Sequence, residues 1–168
     1  MNPAPPIITV ITAIEEYHLA QLVDDFIDLI DTSRSDEDPA IERLTPTPYP
    51  QDVASAVEFA ESTRDDLLDR RLADARRMRS GLGSFDAEFS PANEAEALIS
   101  RELAVPAEDI DSWLRTLTAI RLVVATRLGI TTEDDSPPYA RHEVYDWLGY
   151  RLELLIEAAD DAGAGLGD

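Results

Sequence analysis

The sequence contains no cysteine among its 168 residues. Disulfides, thiolate nucleophiles and cysteine-ligated zinc are therefore excluded. Lysine is missing as well, because all 14 basic residues are arginines. Without lysine, no side chain can form a Schiff base or serve as the lysine of a phosphate-binding loop. Composition alone thus excludes catalytic mechanisms that depend on a cysteine or a lysine side chain.

Long apolar runs are also missing, since no run approaches the ~18 residues that a membrane span needs. The opening residues, MNPAPPIITV, lack the basic segment and the apolar stretch of a secretory signal. We therefore expect a cytoplasmic protein that does not associate with membranes.

Positive charge is scarce: 35 acidic residues against 14 arginines give a formal net charge of -21. A field of that sign repels nucleic-acid phosphates and anionic membrane surfaces, so no nucleic-acid partner is expected. The acidic surface is read either as the solvated exterior of a soluble protein or as a surface that docks a basic partner. Five arginines cluster between residues 70 and 79, and we interpret them as an ion-paired helix face rather than a nucleic-acid patch.

Length and a hydrophobic content of 44% fit one folded domain over residues 1–168. Its core is expected over about 12–158, with flexible ends at 1–6 and 160–168. Apolar residues recur mainly at helical spacing, which predicts an all-α, compact, bundle-like domain of five or six helices. The segment 7–11, IITVI, is the one place where a short strand is expected.

Capping residues set the expected helix boundaries. Thr12 and Glu15 form a capping box for a helix that ends near Ile30. The other predicted helices begin at caps or prolines and cover 53–62, 64–80, a short stretch after Ser90, 107–128 with Gly129 following it, and about 141–159. The prolines within 43–52 predict a turn.

Arg121 falls in the middle of the apolar stripe of the long helix, beside Leu117 and Leu128. A guanidinium stays charged and is costly to bury without a carboxylate, so an acidic partner is expected. Glu15 is the first choice and Asp146 the second. Three interpretations remain open: an interhelical salt bridge, an anion site in which Arg127 assists, and a peripheral arginine.

Catalytic and metal motifs are incomplete. Glu15 and His18 form one E-x-x-H, but the second half of a di-metal signature is missing because Tyr139, not glutamate, precedes His142. No metal and no cofactor is therefore expected, and the chain is not expected to be an enzyme. A hydrolase built on Glu15, His18 and Asp146 remains an alternative.

Two stretches near the C-terminus are DSWLRTLTAIRLVVATRLGI and VYDWLGYRLELL. Together they make the chain resemble the actinobacterial domain-of-unknown-function family number two-thousand-seventeen. The resemblance extends over roughly residues 12–158. The matching positions are Trp113, Leu114, Arg121, Leu122, Thr126, Arg127, Leu128, Gly129, Tyr145, Asp146, Trp147, Leu148 and Glu153. The chain departs from the family pattern at three places. The family usually has arginine at the position of Ala60 and asparagine at that of Thr118. It usually has an apolar residue followed by glutamine at the positions of Arg151 and Leu152.

The resemblance implies a helical protein without established activity, whose genes often lie beside that of the N-end-rule adaptor of the Clp protease. Our leading hypothesis is therefore a non-enzymatic interaction or regulatory protein with a protein partner, linked to Clp adaptor pathways. The alternative is a small-anion or peptide-carboxylate binding module that uses Arg121. The sequence leaves the partner and the oligomeric state open.

Overall fold

The computed structural model describes residues 4–34, 37–46, 55–85, 94–130 and 142–164. In chain order the elements are β1 (Ile7–Thr12), α1 (Ala13–Thr32), α2 (Pro39–Leu44), α3 (Ser55–Gly81), α4 (Glu94–Ala97), β2 (Ser100–Val105), a 3₁₀ turn (Ala107–Asp109), α5 (Ile110–Leu128) and α6 (Glu143–Ala164). The fold is thus mostly helical, as predicted. Among the described residues, none of the helices combines the length and apolar character needed to span a bilayer.

The two strands form a small antiparallel sheet, in which Ile7 lies opposite Val105 and Ile11 lies opposite Arg101. The strand expected at the N-terminus is confirmed, but the all-α prediction is wrong because β2 was not foreseen. Only Leu103 and Val105 of SRELAV are buried, and two buried positions are too short a pattern to be recognised as a strand. The inner face of the sheet is buried, so the core begins at Ile7 rather than at residue 12.

The capping box that opens α1 is confirmed. Thr12 N–H donates to Glu15 Oε2 at 2.9 Å, and Glu15 N–H donates to Thr12 Oγ1 at 3.4 Å. The buried face of α1 follows helical spacing and consists of Glu16, Leu19, Ala20, Val23, Phe26 and Ile30. The sequence therefore fixes both where this helix begins and which side it buries.

Two other boundaries differ from expectation. One continuous helix, α3, replaces the two helices predicted on either side of Thr63. Its buried residues Leu68, Leu72, Ala75 and Met78 form one stripe in the part of the helix after Thr63. The short helix α2 was missed, although Asp38 caps it by accepting from Ala40 N–H at 2.8 Å. The helix start at Ser90 and most of the turn predicted within 43–52 lie outside the described residues.

The long helix α5 is central, since it contacts α2, α3 and α6. Trp113, Leu117 and Ile120 are buried along it. Gly129 ends it with φ of +72°, a left-handed conformation that favours glycine, as predicted. The last helix, α6, continues to Ala164, beyond its predicted end at about 159.

Candidate functional site

Glu15 lies where β1, α1 and α6 meet, and its carboxylate accepts four hydrogen bonds. Thr12 donates to Oε2 from its N–H at 2.9 Å and from its hydroxyl at 2.8 Å. Trp147 donates to Oε1 from its indole Nε1 at 3.0 Å. Arg151 Nη2 pairs with the same oxygen at 2.5 Å. The capping residue of α1 thus also joins α1 to α6.

Arg151 completes this connection. Its side chain is only 10% exposed. Its Nη1 donates to the backbone carbonyl of Val10 at 2.6 Å, so one guanidinium links α6 to both β1 and α1. The guanidinium also lies 5.8 Å from the ring centroids of Trp147 and Tyr150. The Glu15–Arg151 pair is therefore a structural junction between three elements.

The environment of Glu15 lowers its pKa. Burial alone would raise the pKa, but the hydrogen bonds from Trp147, Arg151 and Thr12 outweigh it and lower the pKa to about 2. A general base works best when its pKa lies near the operating pH. A carboxylate with a pKa of about 2 is ionised at neutral pH and accepts protons poorly. Glu15 is thus suited to holding the fold together rather than to moving protons.

Beside this junction, α1 and α6 enclose a cleft of about 560 Å³, which we call the α1–α6 cleft. Its apolar part is formed by Leu22, Val144 and Trp147. Its polar lining consists of Glu15, His18, Gln21, Asp25 and Glu143. The cleft therefore combines an apolar surface with carboxylates at its border.

Arg121 does not pair with either predicted acid. Its guanidinium carbon lies 4.0 Å from the ring centroid of Tyr145, in a cation–π contact. It also packs on Gly149, where an added Cβ would lie 3.3 Å from Arg121 Nε. Among the described residues it makes no ion pair, and its buried Nε has no hydrogen-bond partner. The predicted bridge to Glu15 is wrong because Arg151 occupies that position.

The burial of Arg121 was also overestimated. The buried stripe of α5 runs through Trp113, Thr116, Leu117 and Ile120, whereas residues 121–124 are each partly exposed. A helical wheel assumes one buried arc along the whole helix, but here the covering elements change along α5.

Replacing Arg121 by methionine is expected to lower the free energy of unfolding by about 1 kcal/mol. Methionine keeps the apolar stem and removes only the cation–π contact with Tyr145. Denaturant unfolding of the variant and the wild type measures the difference. A loss of about 3–5 kcal/mol would instead indicate that a buried carboxylate had lost its partner.

The other predicted site residues do not join this group. Arg127 pairs with Asp38 at 2.6 Å, at the start of α2. Asp146 is exposed on α6, and it is not among the residues that line the α1–α6 cleft. Glu15 and His18 both line the cleft, so the structure brings together two members of the hydrolase alternative but not the third. No group of three or more metal-ligating side chains is assembled within the described ranges.

Sequence reasoning missed Arg151 and Glu16. Glu16 is buried and accepts from Gly83 N–H at 2.8 Å, while Arg101 Nε pairs with it at 2.5 Å. The signal was present, since Glu16 lies on the stripe that continues with Leu19 and Ala20. Arg151 follows Trp147 by four residues, so both face the same side of α6.

The family model described as "Domain of unknown function (DUF2017)" matches residues 3–159. The chain belongs to the DUF2017 family. No curated protein matches it, and no solved structure matches it either. In this DUF2017 protein, Arg151 is the residue that holds Glu15.

Proposed function

We propose that this DUF2017 protein is a non-enzymatic interaction protein, with a regulatory role in the cytoplasm. In this proposal, the α1–α6 cleft binds an apolar and basic segment of a partner protein. The observation that carries the proposal is the cleft itself, about 560 Å³ in volume and open at an acidic border. Pockets of this size and mixed lining are typical of binding sites.

The apolar side of the cleft would supply most of the binding energy. Val144 is 44% exposed, and it lies beside Leu22 and the ring of Trp147. An aliphatic or aromatic side chain of a partner would remove this surface from water at ~25 cal/mol per Å². Aromatic residues at such positions are common anchors of protein interfaces.

The border of the cleft would select a basic partner. Asp25 and Glu143 line the cleft, and neither makes an ion pair with another described residue. Arginine or lysine side chains that flank the apolar anchor would pair with them. The net charge of -21 would steer such a partner toward the protein, and it disfavours nucleic acids and anionic membranes.

The state of Glu15 supports binding over catalysis. Its pKa of about 2 makes it a poor general base.

The resemblance adds a narrower proposal, that the partner acts in a Clp-protease adaptor pathway.

The experiment is a selection from a displayed peptide library, followed by affinity measurements on two variants. Val144→Asp places a charge inside the cleft. Ile156→Asp places one on the same helix outside the cleft, and Ile156 is exposed to a similar degree, 42% against 44% for Val144. We expect the selected peptides to combine an apolar anchor with basic neighbours. Val144→Asp should weaken their binding at least ~10-fold, and Ile156→Asp should not.

Two results would contradict the proposal. One is a selection that enriches no common apolar and basic pattern. The other is equal loss of binding in both variants, since that would place the binding surface outside the α1–α6 cleft.

The alternative function, a peptide-carboxylate or small-anion module using Arg121, has one observation in its favour. Arg121 has no carboxylate partner among the described residues, although the chain contains 35 acidic residues. Calorimetric titration with acetate would show heat that disappears in Arg121→Met. Absence of heat in the wild type would eliminate this function.

A further inference from the structure

A second cleft, of about 480 Å³, lies between α3 and α5. We call it the arginine cleft, because its lining includes Arg70, Arg71 and Arg115. Thr116 and Asp74 lie beside them in the lining. The arginine cluster at 70–79 supplies Arg70 and Arg71, but the sequence did not indicate a cleft there, since Phe26 of α1 and Arg115 of α5 complete the lining.

The arginine cleft inverts the charge balance of the chain. The whole sequence has 35 acidic residues and 14 arginines, whereas three arginines and one aspartate line this cleft. The aspartate, Asp74, is fully engaged: Arg115 donates to it from Nε at 2.8 Å and from Nη2 at 3.0 Å. The local positive charge is therefore not neutralised by the cleft's own carboxylate.

The arginines that follow in α3 differ from Arg70 and Arg71, because they are paired with carboxylates. Arg76, Arg77 and Arg79 each pair with an aspartate, so the predicted ion-paired face is confirmed for them. Arg70 makes no ion pair or hydrogen bond with another described residue. Arg71 donates from Nη2 to the carbonyl of Leu44 at 3.0 Å, but its Nε is buried without a partner.

A buried hydroxyl in the same lining is also unpaired. Thr116 is only 1% exposed, and its Oγ1 has no hydrogen-bond partner. Buried polar atoms in folded proteins nearly always have a partner, and each exception needs an explanation. The Thr116 hydroxyl and the Arg71 Nε are closed to solvent, so neither can meet a ligand in the cleft. The group available there is the guanidinium of Arg70, which is exposed and has no partner among the described residues, beside the half-buried Arg71.

We propose that the arginine cleft binds a phosphate group, either as the free ion or carried by a small molecule. Phosphate offers several acceptor oxygens, which match the forked donors of arginine. The volume is within the range of small-molecule sites. A nucleic acid does not fit this role, because the net charge of -21 repels a polyanion.

The test is a ¹H–¹⁵N NMR titration of the full chain with inorganic phosphate, glycerol 3-phosphate and acetate, at an ionic strength held constant with sodium chloride. We expect saturable shifts for amides around Arg71 and Thr116 with both phosphates, and weaker binding of acetate. Tighter binding of glycerol 3-phosphate would identify a phosphate ester as the ligand. Equal or tighter binding of inorganic phosphate would identify the free ion.

Matched variants separate this site from general charge effects. Arg70→Gln should weaken phosphate binding ~10-fold, because it removes a charge-assisted donor. Arg76→Gln removes the same charge from an exposed position of α3, outside the cleft lining, and should leave the affinity unchanged. Both arginines are exposed, so neither substitution should prevent folding. Shifts that do not saturate, acetate binding as tight as phosphate, or equal losses in Arg70→Gln and Arg76→Gln would overturn the proposal.

Discussion

Replacing Glu15 by glutamine is expected to lower the free energy of unfolding at pH 7 by about 2–3 kcal/mol. Thr12 and Trp147 donate to different oxygens of Glu15, so the single amide oxygen of glutamine can accept from only one of them, and Arg151 loses its carboxylate. Arg151 is only 10% exposed, and leaving a buried charge unpaired costs about 3–5 kcal/mol. Glu15 itself is 28% exposed, which reduces the expected loss through contact with solvent.

A double-mutant cycle with Arg151→Met measures this prediction by denaturant unfolding. The two single variants should each be destabilised, and the double variant should lose clearly less than the sum, because one interaction is counted twice. Glu153→Gln, an exposed change on α6, is the control and should alter stability by less than ~0.5 kcal/mol. Additive losses in the cycle would show that Glu15 and Arg151 do not act on one another.

Replacing Gly81 by alanine is expected to lower the free energy of unfolding by about 2 kcal/mol. Gly81 is the last residue of α3, and an added Cβ would lie 2.7 Å from Cζ2 of Trp113. Trp113 is buried in the core, so its ring cannot withdraw without disturbing its neighbours. Forcing an extra methyl group into a packed core costs about 1–3 kcal/mol.

Gly163→Ala provides the matched control for Gly81→Ala. Gly163 lies in α6, and an added Cβ there meets nothing within 4 Å. Alanine is favoured over glycine in helices by up to ~1 kcal/mol, so this variant should be as stable as the wild type or more stable. Thermal unfolding of both variants gives the comparison. If Gly81→Ala were as stable as Gly163→Ala, the close packing of α3 on Trp113 would be refuted.

Much of the helical fold could be predicted, because its signals are local. The Thr12–Glu15 capping box and the glycine after Leu128 each depend on residues within one turn. The strand β2 could not be predicted, since SRELAV becomes a strand only through pairing with β1, almost 90 residues earlier in the chain.

The site was only partly predictable, for a related reason. Glu15 was correctly identified as a carboxylate that meets an arginine on another helix, but the arginine was misidentified. Helical periodicity places Arg121 on a face of α5, and it carries no information about which neighbour covers that face. Arg151 reaches Glu15 because α6 crosses the end of β1, as its bond to the Val10 carbonyl shows. Such a crossing is a property of the assembled fold.

The most direct test of the account is the titration of the Glu15 carboxyl carbon by ¹³C NMR in the folded protein. The pKa should be near 2, well below its ordinary value of 4.5. The carboxylate then stabilises the fold above about pH 4.5, and this contribution is lost as the pH falls toward 2. A pKa at or above 4.5 would contradict the account. It would mean that Arg151 and Trp147 do not hold Glu15, and acid–base chemistry in the α1–α6 cleft would become the better interpretation.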